Sequence, residues 1–329
     1  MSEPSCSVGV SVEVYSEGVY PEAASFAARA AGAFIAAVAT PMTPTRHVDK
    51  RVLEAYFGGV MERGATGLAA GVHTGRGSEL SLDERILVVD TARSSSEIVV
   101  TGVYPQDRPN GDAWLKAAVS IGVDALLVFP DNWSSPESAR DRFDEIWELT
   151  RTPLIVFDLY TKPIPDSTLA ELLEHPAVAA FKPARLRDAT ASERGIRRAS
   201  TAGRCVLTGE DLMLTESLGW GASGALVGLG AACLELTAAA VSRRAEAGFL
   251  SEMQPFIDLL AEATFHEPMD AYVQRMLWIA VDEGLIPPEF GYDPLACDRT
   301  GDAERQYVVE AARRARAGVT ALLQRRSFG

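Results

Sequence analysis

The stretch Phe34-Ile35-Ala36-Ala37-Val38-Ala39-Thr40-Pro41-Met42-Thr43-Pro44 decides the fold class. Its first six residues are apolar without alternation, as suits a parallel strand buried on both faces. The strand then runs into Thr-Pro-Met-Thr-Pro, where a doubly wound dinucleotide fold would carry a glycine-rich phosphate turn. Seven further short apolar runs follow, at 67–72, 98–102, 125–129, 154–157, 178–181, 205–207 and 225–227. Amphipathic stretches separate them, at 52–63, 111–121, 136–149, 166–173, 188–200 and 210–218, with another opening at Ser81-Leu82-Asp83-Glu84, where Ser81 and Glu84 can form a capping box. Eight strand–helix units predict an α/β chain folded as a (β/α)8 TIM barrel.

After the eighth run, helical stretches at 234–247, 250–264, 271–283 and 303–323 have no strand signal between them. The expected organisation is an N-terminal extension over 1–30, a barrel over 31–247 and a C-terminal helical region over 248–329.

Composition excludes several classes. The net charge of −14 would repel a phosphate backbone, so no nucleic-acid partner is expected. No apolar run reaches the roughly 20 residues of a membrane span, and residues 1–7 carry no Lys or Arg to open a signal peptide, so a cytoplasmic protein is expected. Cys6, Cys205, Cys233 and Cys297 show no CxxC spacing, and the four histidines no ligand spacing, so no metal or cofactor is expected. Arginine supplies nearly all the positive charge: of 31 basic residues, only Lys50, Lys116, Lys162 and Lys182 are lysines.

Lys182 closes the sixth run, in Val178-Ala179-Ala180-Phe181-Lys182-Pro183. A lysine there faces the barrel interior or its C-terminal mouth, where barrel active sites lie, or extends outward along the strand end. Desolvation would free its lone pair for attack on a carbonyl. Gly71-Val72-His73-Thr74-Gly75-Arg76-Gly77 follows the second run and can offer amides and the Thr74 hydroxyl to a carboxylate, with His73 as an acid or base.

Over roughly residues 32–325 the chain resembles the dihydrodipicolinate synthase / N-acetylneuraminate lyase family, class I aldolases that work through a lysine Schiff base. The resemblance rests on Gly32-Ala33 through Thr40-Pro41, on Gly71–Gly75 with Leu80, Asp83 and Glu84, on Leu154-Ile155-Val156-Phe157-Asp158, on Phe181-Lys182, on Leu207-Thr208-Gly209-Glu210-Asp211 and on Gly221-Ala222-Ser223-Gly224. It implies that Lys182 condenses with pyruvate or a longer 2-oxo acid, and that aldol cleavage, addition or dehydration follows. A decarboxylase, a deaminase, a biosynthetic carbon–carbon bond former or a non-catalytic 2-oxo-acid-binding barrel are the alternatives. It also implies a homotetramer or homodimer.

The departures concern the proton relay. Phe157 replaces the tyrosine that ends the family's fifth strand, His73 and Arg76 replace a Thr and the Glu of its GTTGE turn, and Asp131-Asn132 replaces a Tyr-Tyr pair. The arginine that binds a substrate carboxylate in dihydrodipicolinate synthase falls near Lys162. Lysine biosynthesis is therefore not expected. The resulting assignment makes Lys182, His73 and Tyr160 catalytic. Thr74, Gly75, Lys162, Asp158, Asn132, Phe157 and Gly209 are placed around the substrate.

Overall fold

A computed structural model of the chain describes residues 18–107, 111–296 and 301–327. Eight parallel strands close into a barrel, each hydrogen-bonded to the next and the last to the first. They are β1 (Phe34–Ala37), β2 (Gly67–Ala70), β3 (Val99–Val103), β4 (Ala125–Val128), β5 (Leu154–Leu159), β6 (Val178–Ala184), β7 (Cys205–Thr208) and β8 (Gly224–Val227). Every expected strand is present. β5 and β6 continue beyond the apolar runs, to Leu159 and Ala184, and so carry the polar residues Asp158 and Lys182 within the ladder.

The helices that follow the strands form the outer ring: α2 (Lys50–Glu62), α3 (Leu82–Ser95), α4 (Gly111–Ile121), α5 (Pro136–Thr150), α6 (Asp166–Leu173), α7 (Ala189–Thr201), α8 (Leu214–Gly219) and α9 (Leu234–Ser242). Short runs of apolar residues suffice for the strands because side chains are buried on both faces. Phe34 and Ala36 pack toward the helices, while Ile35 and Ala37 fill the barrel. The stretch expected as one helix over 210–218 divides into a 3-10 turn, Asp211–Met213, and α8. Ser81 caps α3 as expected: its side chain accepts from the Glu84 amide, and Glu84 answers the Ser81 amide at 2.8 Å.

The N-terminal extension includes a helix, α1 (Pro21–Ala30), set against the N-terminal ends of the strands. Tyr20 donates to the Pro176 carbonyl, Gly32 to that of Ser223, and Arg29 pairs with Asp124 at 2.6 Å. Each partner lies just before a strand. Ala23, Phe26, Ala27 and Ala30 join the apolar cluster of the barrel interior, so α1 seals its lower end. Residues 1–17, with Cys6, and residues 297–300, with Cys297, lie outside the described part.

The C-terminal helices are α10 (Phe249–Thr264), α11 (Tyr272–Asp282) and α12 (Asp302–Ser327). The connection between α10 and α11 crosses to the C-terminal mouth of the barrel. Arg275, fully buried, pins it by donating to the carbonyls of Thr264, His266 and Pro268, while its Nε donates to Glu304 at 2.7 Å. No helix among the described residues is long and apolar enough to cross a membrane.

The capping box gives a local test of the fold. Ser81→Ala removes the acceptor for the Glu84 amide and should lower stability by about 0.5–2 kcal/mol, read as a shift in denaturation midpoint at unchanged slope.

Candidate active site

Strand alternation decides where Lys182 points. In β6, Ala180 and Ala184 belong to the barrel interior, while Phe181 packs toward the helices. Lys182 lies between the two alanines and shares their side of the strand. Its register partner on β5 is Phe157, and its Nζ stands 4.0 Å from the centroid of that ring. The residue is only 6% exposed. Among the described residues no carboxylate forms an ion pair with the amine. Burial lowers its pKa to about 8, against the pull of Asp211 and Glu210. Gly209 makes room for the side chain, since a Cβ there would fall 2.5 Å from Lys182 Cε and 2.8 Å from the Pro183 carbonyl.

The two neighbouring carboxylates are held by the protein itself. Glu210 accepts from Ser192 Oγ at 2.6 Å and from the amides of Arg185 and Leu186. Asp211 accepts from the Leu229 amide at 2.7 Å. Burial raises both above the usual carboxylate range, Asp211 to about 7.

The turn after β2 is shaped by close backbone approach, for a Cβ at Gly77 would fall 1.9 Å from the Gly71 oxygen. Bonds from Arg76 N to His73 O and from Gly77 N to Val72 O close it. Among the described residues, the amides of Thr74 and Gly75 donate to no protein acceptor. Thr74 is buried, and His73 keeps 27% of its side chain exposed. Burial pushes the imidazole below the usual histidine range; Asp270 opposes this, while Arg76 and Lys182 reinforce it.

Tyr272, at the start of α11, reaches into this turn. Its hydroxyl lies 3.0 Å from Thr74 Oγ1 and 3.0 Å from His73 Nδ1. Its ring is stacked between His73 and Phe265, at interplanar angles of 10° and 19°. Arg76 fastens this roof to the turn, binding Asp270 through Nη1 at 2.8 Å and Asp293 through Nη2 at 2.5 Å. Below the roof is a cavity of about 30 Å³ whose lining includes Lys182, His73, Thr74, Phe157, Tyr160 and Tyr272.

The structure thus brings together Lys182, His73, Thr74, Phe157, Tyr160 and Gly209. The other assigned residues are absent from the lining. Asp158 stands on the opposite side of β5 from Phe157, where it accepts from Arg185 Nε at 2.6 Å and from the Ile164 amide. Lys162 pairs with Asp131 at 3.8 Å, and Asn132 is exposed. Gly75 uses its carbonyl to hold the Thr40 hydroxyl at 2.7 Å. Asp211, Phe265 and Tyr272 had no part in the sequence assignment. Asp211 sits in a recognised stretch, but Tyr272 carries no local motif, and 198 residues separate it from Thr74. Among the described residues no group of three His, Cys, Asp or Glu is placed to hold a metal.

Comparison with known proteins places the chain. The model of the dihydrodipicolinate synthetase family matches residues 30–281. A 4-hydroxy-tetrahydrodipicolinate synthase from Anaeromyxobacter sp. (strain Fw109-5) is 28% identical over 203 residues, 58% of this chain and 66% of that one. The enzyme of the same name from Mycolicibacterium gilvum is 27% identical over 162 residues, 47% of this chain and 54% of that one. The chain therefore matches between about half and two thirds of the length of these relatives. Among solved structures, a dihydrodipicolinate synthase from Acinetobacter baumannii, complexed with pyruvate, superposes with a TM-score of 0.74 at 22% identity, over 86% of this chain and 98% of that one. An N-acetylneuraminate lyase from Fusobacterium nucleatum gives 0.73 at 16% identity, over 86% and 98%. Identities this low speak for the fold alone.

Gly209→Ala tests the packing around the amine. The added methyl must displace the Lys182 stem or the Pro183 backbone, at a cost of about 1–3 kcal/mol. A lower melting temperature is expected, together with slower reaction of Lys182 with an amine-directed reagent; wild-type values for both would refute the close packing.

Proposed function

Because the chain belongs to the dihydrodipicolinate synthetase family, we propose that it is a class I aldolase-type lyase that takes pyruvate or a longer 2-oxo acid as a Schiff base on Lys182. One observation carries the reading: a lysine amine stands inside the barrel with an aromatic ring beneath it and no ion-pair partner among the described residues, so its neutral, nucleophilic form is accessible near neutral pH. Condensation with the 2-oxo group yields an iminium. That iminium draws electrons from the adjacent carbon, so a bond from that carbon to hydrogen or to a carbonyl-derived fragment can break or form there. The pyruvate complex of the Acinetobacter relative supports the choice of ligand.

The amides of Thr74 and Gly75 would hold the substrate carboxylate, as neutral donors preorganised around a charge. Beyond the amine, the lining includes Val72, Leu159, Ala184, Leu186 and Phe265. Of the basic side chains nearby, Arg185 pairs with Asp158, Arg76 with Asp270 and Asp293, and Lys162 with Asp131, while Arg187 donates to the Phe265 carbonyl. A cavity of about 30 Å³ has room for little more than a water molecule, so its lining opens to admit substrate. His73 contributes to proton transfer at the imine. The assembly is a homotetramer or homodimer, and a strictly monomeric mass by light scattering at micromolar concentration would remove that part of the proposal.

Borohydride reduction in the presence of pyruvate, read by intact mass, tests the central claim. The wild type should gain one reduced adduct, and Lys182→Ala none. Lys182→Arg should also fail, since a guanidinium stays protonated. The pH dependence follows from the lowered pKa: free amine is present at lower pH than for an exposed lysine, so initial trapping should rise with pH to half-maximum near pH 8. His73→Ala should still trap but turn over at least about tenfold more slowly. A wild type that forms no adduct with any 2-oxo acid would end the reading.

A further inference from the structure

We propose that Tyr272, brought to the barrel mouth by the C-terminal helices, is the catalytic proton-transfer residue of the Lys182 site; this rests on the imine reading above. Phe157, whose ring centroid lies 4.0 Å from the amine, has no proton to give. Of the groups that line the cavity and could move one, His73 meets the Tyr272 hydroxyl through Nδ1, and Asp211 is already engaged by the Leu229 amide. Tyr160 makes no hydrogen bond through its hydroxyl among the described residues. The Tyr272 hydroxyl is held from two sides, by Thr74 Oγ1 and by His73 Nδ1, each at 3.0 Å. A phenol oxygen has one proton and two lone pairs, so these contacts leave it one direction of bonding, and the residue lines the cavity with Lys182.

The ring is immobilised to match. It stacks on Phe265 at 4.5 Å between centroids and lies nearly parallel to His73, and a Cβ at Gly228 would fall 2.9 Å from its edge. Its backbone is anchored on one side by Arg76 through Asp270 and on the other by Arg275 through the carbonyls of Thr264, His266 and Pro268.

The chemistry balances. Addition of the neutral Lys182 amine to the 2-oxo carbon, with transfer of the amine proton to oxygen, gives a neutral carbinolamine. Its hydroxyl leaves as water by taking the Tyr272 proton, which produces an iminium cation beside a phenolate. The Thr74 hydroxyl and a His73 Nδ1–H stabilise that phenolate by donating to it. The phenolate then removes a proton from the carbon next to the iminium, giving a neutral enamine and restoring the phenol. Amine and 2-oxo acid are converted to enamine and water, with no other reactant.

The test follows exchange of the pyruvate methyl protons in deuterium oxide by NMR, alongside borohydride trapping. Wild type should trap pyruvate and exchange its protons. Tyr272→Phe keeps the stacked ring and should trap to a similar extent at equilibrium but exchange on the order of 10²–10⁴-fold more slowly, with its fold checked by melting temperature. Should that variant fail to fold, His73→Asn removes one partner of the hydroxyl and should slow exchange about tenfold without abolishing trapping. The proposal is overturned if the folded Tyr272→Phe protein exchanges within about threefold of wild type, if His73→Asn in its place leaves exchange unchanged, or if Tyr160→Phe carries the loss instead. A wild type that neither traps nor exchanges overturns the imine reading, and this inference with it. Trapping together with proton exchange that does not depend on Tyr272 overturns this inference alone.

Discussion

Everything at this site depends on the desolvation of one amine. A lysine on an open sheet would extend its charge into water. In a closed barrel the interior positions of β6 have no such exit, and the Lys182 side chain is confined by the Phe157 ring, the Gly209 backbone and the turn after β2. Solvation of an ammonium is lost, the neutral form gains, and the carboxylates that might have compensated are themselves occupied with backbone amides. The barrel thus does chemical work through its closure, since the same register that completes the hydrogen-bond ladder sets Lys182 opposite Phe157.

The second constraint is the fastening of the C-terminal helices to the mouth. Arg76 belongs to the turn after β2, and its guanidinium bridges Asp270 and Asp293, one on each side of α11. A glutamate there could not bind those two aspartates. The arginine in the turn and the seating of Tyr272 over His73 and Thr74 are therefore parts of one arrangement. His73 fits it too, because its neutral imidazole can either donate to or accept from a phenol. The phenol at the mouth is carried by α11, an element outside the barrel strands.

The sealed ends of the barrel have a common logic. At the lower end, α1 covers the interior with Ala23, Phe26, Ala27 and Ala30 and spends its polar groups on Pro176, Ser223 and Asp124. At the upper end, Phe265 and Tyr272 cover the cavity, and Arg275 satisfies the carbonyls of the connection that carries them. Buried backbone needs such partners wherever it leaves regular structure.

How much was legible beforehand follows from the range of each interaction. The eight strands, the capping box at Ser81, the helices and the position of Lys182 on the sixth strand could be read from the chain, because they depend on short-range periodicity and on neighbours three or four residues away. Lys182, His73, Thr74, Phe157 and Gly209 could be singled out because they fall within contiguous stretches. What only the tertiary structure decided is which of these polar groups face the cavity. Asp158 is adjacent to Phe157 in sequence, yet strand alternation sends it to Arg185 on the other side of the sheet. Lys162 and Asn132 lie on loops whose course no local pattern dictates. Tyr272 reaches Thr74 across 198 residues, through a connection held by buried arginines, and no periodicity can encode a contact made by two elements that meet only when the barrel is closed.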